Sequence, residues 1–219
     1  MKKILYSVAL AACCMGTMTS CSDFLDASNK SNVTAKQSFA TKEGLNNLVN
    51  NAYQHLQNVY AAPLFTSCFS AGTDMYADAR NKMNEALNTY ETLTPENTDI
   101  KNLYTYLYSG IRAANSVSYY AQTAQVDEKT KGQLVGEARV LAAYEYYLLV
   151  NNFGGVPIMK DFLTTADTGY PKSSATDVYA YIISELEDVI SKNVLQASTA
   201  TKGGGRISQE TAKAILAKT

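Results

Sequence analysis

One histidine and four cysteines set a narrow limit on the chemistry open to this 219-residue chain. A metal centre built from His and Cys needs ligands at recognisable spacings. His55 is alone, and Cys13, Cys14 and Cys21 all precede the body of the chain, which keeps only Cys68. No metal and no cofactor is therefore expected. A serine hydrolase needs a base beside its nucleophile, and His55 lies in a helical stripe with no GxSxG turn anywhere in the chain. A glycosidase needs two carboxylates across a cleft, and Glu137 has no counterpart at a recognisable spacing. Gly203-Gly204-Gly205-Arg206 precedes a helix as a phosphate cradle would, but it lacks the GxxxxGKS/T pattern and a preceding apolar strand. It reads as a turn. No catalytic residue is assigned, and the chain is expected to bind rather than to catalyse.

The cysteine with a chemistry of its own is Cys21. Lys2 and Lys3 form a positive start, Ile4 to Gly16 an apolar run, and Ser20 is a small residue directly before Cys21. The run is too short to span a bilayer and suits a signal peptide. Together they read as a bacterial lipobox, with Met18 at the position where Leu or Val is usual. Residues 1–20 are expected to be removed, Cys21 to be lipidated, and residues 21–40 to serve as a polar tether. Each buried methylene of an acyl chain contributes about 0.8 kcal/mol, so the protein is expected to be anchored to a membrane rather than to span it. Loss of Lys2 and Lys3 from 19 basic against 20 acidic side chains leaves the exported part mildly acidic. A polyanion binder needs a basic surface, so no nucleic-acid partner is expected.

Hydrophobic residues make up 46% and charged residues 18%, the balance of a chain with a core to bury. From Thr41 onward the apolar period is helical: Leu45, Leu48, Val49, Ala52, Leu56 and Val59 share one stripe. Further helices are expected over 97–121, from Asp127 to 153, over 176–192, and from Ser208 onward. Gly154-Gly155-Val156-Pro157 marks the end of the third. Residues 61–94 read as an irregular excursion with a short helix near 79–87. The fold class is all-α, with helix pairs of tetratricopeptide type, 97–121 with 128–153 and 176–192 with the helix from 208. The apolar stripe of Ala212, Ile215 and Leu216 stops at Thr219 without a partner, which reads as a domain over 41–219 truncated at 219.

Sixteen tyrosines and no tryptophan leave tyrosine as the main aromatic contact residue. Tyr104, Tyr108, Tyr144, Tyr147 and Tyr179 fall in helical runs, where packing between helices is the default. Loops on a rigid scaffold carry binding residues more often, so Asp74, Tyr76, Asp78 and Arg80 in the irregular segment are the candidate ligand-binding set. Asn115, Glu137 and Arg139 are read as hydrogen bonds and an ion pair joining the second long helix to the third.

Five blocks in order carry a resemblance: Ser20 to Asp26; Tyr104 through Ile111-Arg112-Ala113-Ala114-Asn115; Gly136-Glu137-Ala138-Arg139 through Tyr144 to Pro157; Val178 to Leu186; and Gly205-Arg206-Ile207-Ser208 through Ala217. They resemble the SusD/RagB family of outer-membrane nutrient-uptake lipoproteins, and the chain would be the N-terminal part of such a protein. The resemblance implies a lipid-anchored, surface-exposed outer-membrane protein that binds oligosaccharides or peptides and delivers them to a SusC-type TonB-dependent transporter. Ala142, where the family often has Arg, and Glu185, where it usually has Asp, depart from the pattern; loss of the Arg implies loss of a buried ion pair. The alternative is a membrane-tethered helical scaffold that binds only a protein partner.

Overall fold

Every long helix starts at a side chain that accepts from its own first free amides. The computed structural model describes residues 35–61, 63–76, 85–165, 169–201 and 205–219. Among them the helices are α1 (Ala35–Ser38), α2 (Lys42–Tyr60), α3 (Leu64–Phe69), α4 (Glu85–Thr89), α5 (Thr98–Ala121), α6 (Glu128–Phe153), α7 (Ala175–Lys192), α8 (Ser198–Thr201) and α9 (Gln209–Leu216). Thr41 Oγ1 accepts from the Gly44 N–H at 3.1 Å, Asn97 Oδ1 from Asp99 and Ile100, and Asp127 Oδ1 from Thr130 at 2.9 Å. Ser174 and Ser208 cap α7 and α9 in the same way. Each such cap stabilises its helix by about 1 kcal/mol. No strand occurs among the described residues, and the all-α expectation holds.

The expected pairs form: α5 packs on α6 and α7 on α9. In addition α2 packs along both α5 and α6, and α6 packs on α7, so α6 touches three of the other long helices. Leu45 and Val49 of α2, Leu107 and Ile111 of α5, Leu141 and Leu149 of α6, and Ile182 and Leu186 of α7 meet in one core, all essentially inaccessible. The stop of α6 is as expected: Gly154 has φ +70° and returns its N–H to Val150 O at 3.0 Å. A Cβ on Gly155 would lie 2.2 Å from Ser173 O, so only glycine fits there. The excursion is more structured than its composition implied. It contains α3, which at six residues is too short to print a helical period, while the short helix lies at Glu85–Thr89. Residues 77–84 and 202–204, and the anchor at Cys21, lie outside the described residues.

The expected ion pair between the second and third long helices is corrected by the structure. Arg139 turns to α7 instead, where Nε donates to Glu185 Oε2 at 2.7 Å and Nη1 donates to Asp188. Glu137, two residues earlier and so about 200° around the helix, turns to α2. Its fully buried carboxylate accepts from Tyr53 Oη at 3.1 Å, from Gln133 Nε2 at 3.0 Å and from Arg206 Nε at 2.8 Å. Burial works against the Arg139 charge, but the hydrogen bonds of Glu185 and Asp188 outweigh it and hold the guanidinium above its ordinary pKa. Glu185 thus keeps a carboxylate at the position where Asp is usual. Asn115 joins neither helix: its Nδ2 donates to Met159 O at 2.8 Å, beyond α6.

One buried group has no such partners. Glu145 of α6 is inaccessible, and neither carboxyl oxygen has a hydrogen bond. It fits only because α5 carries Gly110, where an added Cβ would sit 1.8 Å from Glu145 Oε1. Burial raises its pKa well above the usual carboxylate value, and no charged neighbour opposes that. A carboxyl whose pKa rises on folding supports the fold fully below the unfolded value of about 4.3. That support is lost as the pH climbs through the raised folded value. Glu145→Leu should therefore raise the thermal stability at pH 8 by about 1–3 kcal/mol, with the gain shrinking toward pH 4. Thermal unfolding of both chains across that range checks it; an equal gain at both ends contradicts it.

Candidate functional site

One face of α5 carries, at helical spacing, polar and aromatic residues that are at most half-buried: Tyr104, Thr105, Tyr108, Ser109, Arg112 and Asn115. Over this face runs the segment between α6 and α7, and its first part is pinned. Tyr108 Oη donates to Pro157 O at 2.7 Å, Asn115 donates to Met159 O, and Met159 N–H donates to Tyr146 Oη at 2.7 Å. Ser173 N–H closes the far end on Val156 O at 3.2 Å. Burial, and then the neighbouring Tyr104, push the Tyr108 phenol far up, and burial does the same for Tyr146. Both stay neutral and keep donating.

Between helix face and strap lie two adjoining clefts. The first, about 490 Å³, is lined by Tyr104, Tyr108, Ser109, Arg112 and Tyr170. The second, about 370 Å³, is lined by Arg112, Asn115, Asp161, Thr164 and Thr165. Arg112 and Met159 belong to both. The Tyr104 and Tyr108 rings lie 4.7 Å apart at 45°, and the Arg112 guanidinium sits 5.5 Å from the centre of the Phe162 ring. A third cleft, about 400 Å³, opens on the far side of Asn115 between α5, α6 and α7. Ala142 lines it beside Lys160 and Tyr181, so the small side chain at the position where the family often has Arg leaves open space. Volumes of this order are those of small-ligand sites. Aromatic faces with hydroxyl, amide and charged groups around them can stack on a ring and hydrogen-bond its substituents.

Of the set expected from sequence, the two described residues, Asp74 and Tyr76, do not line these clefts. Asp74 is exposed and Tyr76 half-buried on the loop after α3, and Asp78 and Arg80 lie outside the described residues. His55 sits on α2, half-buried, with burial lowering its pKa. Among the described residues no cluster of His, Cys, Asp and Glu could hold a metal ion. Arg112, Thr164, Thr165 and Tyr170 were missed. The polar and aromatic period of α5 from 104 to 115 was the available signal, but only the strap, invisible to periodicity, makes that face a groove.

Tetratricopeptide-like helix pairs, with a strap laid over one helix face, define an all-α helical scaffold. The sequence matches the SusD-like family, described as starch-binding and associating with the outer membrane, over residues 23–219, and the chain belongs to that family. A SusD-like protein of Formosa agariphila is 28% identical over 190 residues, which is 84% of this chain and 36% of that protein. The surface glycan-binding protein A of Bacteroides uniformis superposes with a TM-score of 0.68 at 26% identity, covering 80% of this chain and 41% of that one. A SusD homologue of Bacteroides thetaiotaomicron shares the fold with a TM-score of 0.69 at 21% identity, covering 87% of this chain and 38% of that one. The chain thus spans well under half the length of these relatives.

The strap should loosen when its ties are cut. Tyr108→Phe removes one hydrogen bond and strands the Pro157 carbonyl, at a cost of about 1 kcal/mol. Hydrogen exchange of the amides of 158–163 should quicken, while those of the α5 core should not.

Proposed function

We propose that the chain is the helical part of a lipid-anchored outer-membrane surface protein that binds glycans and delivers them to a SusC-type TonB-dependent transporter, catalysing no reaction. Residues 1–20 direct export, Cys21 carries the lipid, and the residues after it form the tether to the helical domain, to which Phe39, packed against Tyr120, already belongs. The observation that carries this reading is the family match, which begins two residues after Cys21 and runs to Thr219. The groove along α5 supports it, since two tyrosine rings stand beside hydroxyl and amide groups there. Among the described residues no helix is long and apolar enough to cross a membrane.

A second reading, a tethered scaffold that binds only a protein, draws on a different surface. Tyr60 and Phe65 are both more than a third exposed and stack with Phe69, while the Tyr60 hydroxyl meets that of Tyr144. Exposed rings grouped in this way suit a protein contact.

Titration of the exported chain with neutral and acidic oligosaccharides and with peptides separates the two. Saturable binding of a glycan supports the first reading. Binding of no glycan, with one protein partner co-purifying, replaces it by the second. Cys21→Ser should move the protein from the membrane fraction to the soluble fraction on cell fractionation; retention in the membrane contradicts lipidation at Cys21.

A further inference from the structure

Arg112 stands where the two clefts of the α5 groove meet, and among the described residues it makes no ion pair. That sets it apart from the other arginines of the helical body whose contacts are described. Arg139 is held by Glu185 and Asp188, and Arg206 by Glu137. Arg112 is exposed, and its guanidinium is steadied by the Phe162 ring at 5.5 Å, which packs in turn on Tyr119 at 5.4 Å and Tyr120 at 5.9 Å. A planar fork of donors, held in place without an anion, matches a carboxylate or sulfate group. To one side of it lie Tyr104, Tyr108 and Tyr170, the surface for a ring; to the other lie Asn115, Thr164 and Thr165, with Asp161 able to accept from hydroxyls.

We infer that the groove selects acidic glycans, with the uronate or sulfate group of one sugar unit on Arg112, an adjoining ring against Tyr104 and Tyr170, and neighbouring hydroxyls on Asn115 and Thr164. Among the described residues Asp161 is the one carboxylate lining the groove, and it lies outside ion-pairing reach of Arg112. The acidic group therefore binds at the guanidinium and is kept away from Asp161 in the second cleft. This rests on the glycan-binding reading above and adds the charge of the ligand.

The test is calorimetric titration of the exported chain with matched pairs of oligosaccharides, uronate against methyl ester and sulfated against desulfated, with tetraglutamate as a peptide control. At least one pair should favour its acidic member by about tenfold, the size of one charge-assisted hydrogen bond. Arg112→Gln, an exposed position whose folding is checked by circular dichroism, should bring that pair near parity. Lys213→Gln, which removes an exposed charge on α9, should leave the preference in place. The preference should also weaken as salt is raised. Equal binding of both members in every pair, or a preference that survives Arg112→Gln, overturns the inference while glycan binding stands. Tighter binding of tetraglutamate than of any acidic glycan overturns it in favour of a peptide ligand. Binding of no glycan at all removes both readings together.

Discussion

The arrangement of the helices depends on one buried carboxylate. Glu137 is wholly inaccessible, and removing such an ion from water costs several kcal/mol unless its partners are well placed. Here they come from three parts of the chain. Tyr53 reaches over from α2, Gln133 lies one turn back on α6, and Arg206 enters from the segment that leads into α9. The Tyr53 hydroxyl also accepts the Ile207 N–H at 2.8 Å, and Arg206 donates to Asn50 and Asn46 of α2. Burial and the nearby carboxylate both raise the Tyr53 phenol above its ordinary pKa, which keeps its proton available for donation. A single charge thus ties the segment leading into the last described helix to the first long one, more than 150 residues earlier.

With that end fixed, the opposite side of α6 is free to organise the other half. Arg139 secures α7, and Tyr146 receives the strap. The groove follows from these two constraints. Because α5 spends its apolar face on α2 and α6, its polar and aromatic face is left outward, and because the strap is tied at Pro157 and Met159, that face gains a second wall. Binding groups on a helix and on a pinned segment lose less freedom when a ligand arrives than groups on an open loop.

The long helices were legible because the capping residues and apolar periods agree. Thr41, Asp127 and Ser208 each cap where the pattern placed a start, and Gly154 ends α6 as its type demands. What failed was direction around the helix. Glu137 and Arg139 are neighbours in sequence and were read as serving one interface, yet they point to α2 and α7. Sequence gives the phase of a residue relative to its own helix, and only the packing of three helices around α6 says which partner lies there. The groove was hidden for a related reason. The strap has no period, its ties are single side chains spaced 13 to 49 residues from their acceptors, and the tyrosines involved are the same residues that pack helices elsewhere.

The contact between Gly110 and Glu145 has a consequence for how this sequence can change. A side chain at 110 has no room while the Glu145 carboxyl keeps its position. A shorter residue at 145 leaves a void against the glycine until 110 grows to fill it. Each position sets the permitted residues at the other, so the two behave as a single epistatic unit although 35 residues separate them. A descendant can replace the buried carboxyl by an apolar side chain of similar length without touching 110, but it can enlarge position 110 only after position 145 has shortened or turned aside. The reverse order passes through a chain in which the Glu145 carboxyl must leave its place against position 110.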